Sequence, residues 1–303
     1  MTKPYDVIAN QHDDFDDWAE KHKITNGLLG ANGSCAVMGK NKYDSAISMF
    51  ALATGRKESE DISGVEAVKW GLRLEDPIAQ AWAEETGKEI VRCGDLRVSK
   101  KVPWACSTPD YEVAGENADL QIKNVNAWAA DDFEDGIPDW LYWNLQHEML
   151  VSGHTHIYYA CLLGGNNLKH GQVERDANAI AAIITTGSDF WARVQRDDPP
   201  LPDGSDASTE AIKDLYSTDD GTVVELDIDV VPLDEELQEI KKVLKTLGKR
   251  KAELENIIKA KIGFASKAVL PGGAGTYSFK TVHKSGGTRT YQATSYRVLR
   301  RGK

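Results

Sequence analysis

The stretch Ser107-Thr108-Pro109-Asp110, followed by Ala118-Asp119-Leu120-Gln121-Ile122-Lys123, decides how this chain is read. Alternate residues of a β-strand face opposite sides, so a strand over Ala118–Val125 turns Leu120 and Ile122 into a core. The same alternation sets Asp119, Gln121 and Lys123 in a row on the other face. An acid, an amide and a lysine side by side suit a cation and a phosphate. Gly115-Glu116-Asn117 offers a short, hairpin-like connection from Asp110, and Glu75 on a preceding helical segment can add a carboxylate. On spacing alone the row is also compatible with a half-exposed strand whose acid and lysine form a surface pair.

Outward from this stretch, short strand-like runs occupy Glu89–Cys93, Leu96–Ser99 and Trp104–Ser107. Helical segments are expected over Ser45–Thr54, Glu66–Glu85, Asp139–Val151 and Asn178–Arg196, the first three closed by Gly55, Gly87 and Gly153. Pro77 belongs in a first turn or at a kink. His156–Leu163 reads as a strand, and Gln172–Arg175 as one more short strand. Residues 1–20 look like a polar lead-in, and Ile24–Ser34 like a glycine-rich loop. This order predicts an α/β (α+β) domain with a central mixed sheet flanked by helices.

Further on, Asp197–Ser208 has linker composition and Val223–Val231 alternates like a strand. Leu237, Ile240, Leu244, Leu247, Leu254, Ile257 and Ile258 recur at spacings of three and four, interrupted at Gly248, which predicts a long amphipathic helix, with a helical hairpin or a coiled-coil arm as the forms open to it. Tyr277, Phe279, Tyr291 and Tyr296 alternate with glycines and basic residues, as in a small β unit turning near Ser285-Gly286-Gly287. The expected division is therefore a domain over 1–200, a linker and short strand over 201–232, a helical arm over 233–263 and a basic β unit over 264–303.

The chain of 303 residues carries a formal net charge of −11, but no Asp or Glu follows Glu255, and ten basic residues do. Such asymmetry fits a basic arm that meets a polyanion, or a tail that meets an acidic protein surface. No run approaches the ~20 apolar residues of a membrane span. The first residues hold no apolar run like a signal peptide's, and Cys35, Cys93, Cys106 and Cys161 are scattered without a CxxC pair. Both features point to the cytoplasm and to free thiols. Gly30-Ala31-Asn32-Gly33-Ser34 lacks a following Walker lysine, which argues against nucleotide hydrolysis. Trp140 and Trp143 are expected in a core rather than stacked on bases, and His154 with His156 forms no set with other ligands.

Pro109-Asp110 followed by Gln121-Ile122-Lys123 resembles the PD-(D/E)XK nuclease pattern. Further segments stand in matching order: Trp70-Gly71-Leu72-Arg73-Leu74-Glu75-Asp76-Pro77, Thr86-Gly87, Asp139–Met149 with Gln146, Ser152-Gly153 and Val173-Glu174-Arg175-Asp176. Together, from Ile24 to Arg196, they resemble the YqaJ-type viral recombinase family, relatives of the phage lambda exonuclease.

The resemblance implies a PD-(D/E)XK core and a Mg²⁺-dependent exonuclease, with Mn²⁺ as a substitute. It implies digestion of linear double-stranded DNA from 5′ to 3′, a single-strand annealing partner of the RecT or Bet type, and a ring-shaped homo-trimer. It casts Asp110 as main metal ligand, with Glu75, Gln121, Ile122 and Asp119 as the other metal positions. Lys123 would position the attacking water, with Gln121, Gln146 and Glu75 at the chemistry. Ser34 falls at the family's phosphate pocket, with Lys23 standing in for its arginine, and Arg297, Arg300 and Arg301 are candidate DNA contacts. Gln121 departs from the family, which has Glu or Asp there, and removes one negative charge. Asp119 can compensate, leaving an active enzyme. The alternatives are a structure-selective endonuclease of the same superfamily and a silent DNA-binding or scaffolding protein.

Overall fold

The computed structural model of the chain describes residues 3–283 and 297–299, which fall into two compact units parting between Thr218 and Asp219. In the first unit, β1 (Tyr5–Asn10) and α1 (Phe15–Lys21) precede α2 (Ala31–Val37), α3 (Ala46–Ala53) and α4 (Glu66–Thr86). β2 (Ile90–Arg92), β3 (Asp95–Ser99), β4 (Cys106–Ser107), β5 (Tyr111–Val113) and β6 (Asp119–Val125) follow. α5 (Asp139–Ser152) leads to β7 (His156–Leu163), β8 (Asn167–Glu174), α6 (Ala177–Arg196) and α7 (Asp206–Leu215).

The central sheet has the order β2-β5-β6-β7-β8. β6 and β7 run parallel, joined through α5, and the other neighbours are antiparallel, so the sheet is mixed as expected. The alternation expected along β6 is realised. Leu120 and Ile122 pack with Ile78, Ala79 and Trp82 of α4 on one face. On the other face Val125, Tyr159 and Cys161 pack with Leu141, Leu145 and Met149 of α5. Gln121 and Lys123 pair with Tyr159 and Cys161 in the ladder and so share the α5 face. A second sheet, β1-β3-β4, lies beside α5. All four cysteines are free and buried.

Several expectations need correction. Residues 1–20 are not a loose lead-in: β1 pairs with β3 through a bulge between Val7 and Ala9, and α1 is capped by Asp14. β1 leaves most of its side chains exposed, so no apolar alternation announces it. The glycine-rich stretch folds into α2, where a Cβ on Gly33 would lie 2.6 Å from Leu29 Cδ1. Gly33 therefore serves close packing rather than phosphate. Pro77 sits inside α4, and the last strand of the sheet spans eight residues rather than four.

The expected linker contains α7, which packs on α3 and buries Ala211 and Ser208 completely. Val223–Val231 forms no strand: its first residues have no regular structure and its end enters a helix. In the second unit that helix, α8 (Val230–Ile262), is a single element of 33 residues, not a hairpin. β9 (Lys267–Val269) and β10 (Thr276–Ser278) then form an antiparallel pair. The expected turn at Ser285-Gly286-Gly287, with Tyr291 and Tyr296, lies outside the described residues, as do Arg300 and Arg301. Among the described residues no helix is long and apolar enough to cross a membrane.

Candidate active site

Asp110 stands immediately before β5, and its carboxylate accepts a 2.7 Å hydrogen bond from the amide of Ile122 in β6. This bond ties the two halves of the motif together across twelve residues. Ile122 contributes only its backbone, because its side chain is in the α4 core. Burial pushes the Asp110 carboxyl above the usual range, while Lys123 and the Ile122 amide pull it back.

Glu75, on α4, has only 13% of its side chain exposed and meets Arg92 of β2 at 3.3 Å. Its carboxyl is pushed up to about 7, by burial first and then by the charge of Asp110, with Arg92 and Lys123 opposing. Arg92 also holds Asp76 at 3.0 Å, and Asp76 accepts a hydrogen bond from the Tyr111 hydroxyl. Glu75, Asp110 and Lys123 thus share one electrostatic environment, screened on one side by Arg92. The sequence reading missed Arg92, which a three-residue strand with no apolar alternation does not advertise.

Gln121 is buried and its Oε1 has no hydrogen-bond partner. Asp119 does not supply the missing charge. Both of its oxygens are held by Nη1 of Arg97, at 3.1 and 2.9 Å, and His154 Nε2 lies 3.2 Å from Oδ2. Arg97 is fully buried and also donates to Cys93 and Glu112. Burial disfavours the charged guanidinium, yet Asp119, Cys93, Tyr5 and Glu112 together hold its pKa above the ordinary value. This cluster clamps β3 to β6 and the start of β7. A buried ion pair with one partner removed typically costs about 3–5 kcal/mol, so Asp119 is a structural anchor.

Gln146 is held at both ends of its amide by backbone. Its Nε2 donates to the Glu174 carbonyl and its Oε1 accepts from the Asp176 amide, both at 2.8 Å. It therefore fixes the junction of β8 and α6. Two residues on, a helix has turned through more than half a circle, so Glu148 leaves α5 on the opposite side. Glu148 is buried and its Oε2 has no partner. Burial, then Asp119 and Asp110, push its carboxyl up to about 8, and Lys123 and Arg97 oppose. Glu148 thus lies in the field of the same charges as Asp110. Its sequence signal was a glutamate directly before the apolar run Met149-Leu150-Val151, a residue type rarely buried without a purpose.

Ser34 is buried on α2 with its hydroxyl unpartnered, and Lys23 is exposed and paired with Glu20. Arg297 donates to the Tyr216 carbonyl at 3.3 Å. Trp140 and Trp143 pack against the core.

Among the described residues no three of His, Cys, Asp and Glu stand together as a ready metal cage. The donors present are nevertheless all oxygen. Asp110 acts on the carboxyls of both Glu75 and Glu148, and Gln121 Oε1 and Glu148 Oε2 are buried and unsatisfied. That set fits a hard divalent cation, which binds through one or two carboxylates and keeps other positions for water and phosphate.

Residues 17–155 match the family described as YqaJ-like viral recombinase domain. An uncharacterised protein of Bacillus subtilis (strain 168), YqaJ, is 29% identical over 268 residues, covering 85% of this chain and 82% of that one. Among solved structures, the alkaline exonuclease of Laribacter hongkongensis in complex with dAMP is 22% identical, with a TM-score of 0.49, over 59% of this chain and 94% of that one. A phage-related exonuclease of Haemophilus somnus 129PT is 12% identical, with a TM-score of 0.39, over 59% and 94%. The matched residues, just under half of the chain, reach from α1 to the residue before β7 and contain Glu75, Asp110, Gln121, Lys123 and Glu148, so this part of the chain is similar to the YqaJ-like viral recombinase domain.

Proposed function

We propose that the chain is a Mg²⁺-dependent exonuclease that digests one strand of linear duplex DNA from the 5′ end. Cleavage of DNA, the metal, the polarity and the preference for ends all belong to the proposal. One observation carries it. The Asp110–Ile122 hydrogen bond places Asp110 beside the strand whose next residue is Lys123, with Glu75 in the same field.

Asp110, Glu75 and Gln121 would hold the cation, with Glu148 restoring the charge that an amide lacks. A bound divalent cation polarises a phosphoryl oxygen and lowers the pKa of a water. Lys123 orients the attacking water and meets the charge that develops on the phosphate. Asp110 is kept in place by a backbone amide, so its geometry does not depend on a mobile side chain. Arg97, His154 and Gln146 hold the frame without touching the reacting atoms. The single strand left behind is the substrate class of an annealing protein of the RecT or Bet type.

A time course on linear duplex labelled at the 5′ or the 3′ end, with Mg²⁺, tests this reading. Early release of the 5′ label and an intact closed circle are expected; cutting of the circle would point to an endonuclease. Lys123→Ala should remove cleavage while binding of duplex in a mobility-shift assay persists. Full activity in that variant refutes the site.

A further inference from the structure

We infer that α8 is a self-association helix, pairing with α8 of a second copy of this chain in parallel and in register. The inference rests on α8 alone and is independent of the nuclease reading.

No residue of α8 is buried, although Leu233, Leu237, Ile240, Leu244, Leu247 and Leu254 are large and apolar, with exposures from 38 to 62%. These residues keep one heptad frame. Val230, Leu237, Leu244, Lys251 and Ile258 fall at its a positions, and Leu233, Ile240, Leu247, Leu254 and Lys261 at its d positions. The helix is about 50 Å long at ~1.5 Å per residue. A seam sustained over that length is what a coiled coil buries.

The charges choose the partner and the direction. In a parallel, in-register pair each g residue faces the e residue five positions further along the other helix. Glu236 then faces Lys241, and Arg250 faces Glu255, both opposite in sign; Ile257 faces Ile262. A helix cannot make these contacts within itself, since its own neighbours lie three and four apart. Among the described residues, the intrahelical ion pairs of these side chains follow that rule: Arg250 with Glu253, and Glu255 with Lys251 and Lys259.

In an antiparallel pair matched on the same seam, Glu236 would face Ile257, and Asp234 would face Glu255, which repel. Lys251, the one polar residue in the middle of the a positions, is the type of residue that fixes register at some loss of stability. It lies 3.8 Å from Glu255 of its own helix, at the seam's edge, where the ammonium keeps water.

Sedimentation equilibrium on the full-length protein should give a mass of at least two chains that falls to one for Leu244→Glu. Glu236→Lys, which sets Lys against Lys across the seam twice per pair, should weaken association roughly tenfold. The double variant Glu236→Lys with Lys241→Glu should return it to near the wild-type constant. Circular dichroism of each variant confirms that the helix persists. A wild type that stays a monomer at all concentrations overturns the proposal. So does an association constant that Glu236→Lys leaves unchanged, because an antiparallel pair or another contact would then be responsible.

Discussion

Glu148 sits among Asp110, Asp119 and Lys123 with one oxygen unpartnered, and its carboxyl is pushed up to about 8. A glutamate of the unfolded chain titrates near 4.5, whereas in the fold Glu75 is pushed up to about 7 and Glu148 to about 8. Between those limits the folded protein holds more protons than the unfolded chain, so stability falls as pH rises through the window. The metal-free protein should consequently be most strained in alkali, where both carboxylates are charged and competent for a cation. Glu148→Gln should raise the stability of the metal-free protein above pH 8 by about 1–3 kcal/mol, since an unsatisfied buried charge is removed. The same variant should bind Mg²⁺ more weakly in a calorimetric titration. Unchanged metal affinity would remove Glu148 from the site. Mg²⁺ affinity of the wild type in the same titration should strengthen as pH rises towards about 7, because Glu75 must lose its proton to hold a cation.

At the scale of elements, packing decides where the sequence signal is thin. α6 carries Gly187 because the Trp104 ring lies against it: a Cβ there would be 2.3 Å from Cη2. Alanine is the better helix former by up to ~1 kcal/mol, but overpacking a filled contact costs about 1–3 kcal/mol. The second effect wins, so Gly187→Ala should lower the thermal midpoint; a raised midpoint would show that the ring gives way freely.

What could be read in advance follows the same physics. α4, α5, α6 and β7 have long apolar patterns and glycine or cap signals, and their bounds were legible to within a residue or two. β1 and α2 were not, because an edge strand that buries little and a helix of small residues leave no period to read. α7 was hidden by the Asp, Pro and Ser around it, although Ala211 is fully buried. In the site, Asp110, Glu75 and Lys123 were visible as a motif. The partners of Asp119 and Gln146 were not legible, because a strand or helix pattern tells which face a side chain takes, not which partner it meets there. Arg97 and Glu148, the partners that decide the matter, come from β3 and α5, far away in sequence.

For the whole molecule, the four free cysteines have a practical consequence. Cys35, Cys106 and Cys161 are 0–1% exposed and Cys93 8%, and burial pushes the first three thiols up to about 12. All four lie in the first unit, on α2, beside β2, in β4 and in β7. The thiolate is the reactive form, so a thiol-exchange reagent at neutral pH should find almost nothing to attack while that unit is closed. Reaction should instead count openings of the first unit one molecule at a time, and changes confined to α8 should leave its rate alone. A fast reaction of even one thiol in the native protein would mean that the core around it breathes. The chain thereby carries its own clock for unfolding, without any label being added.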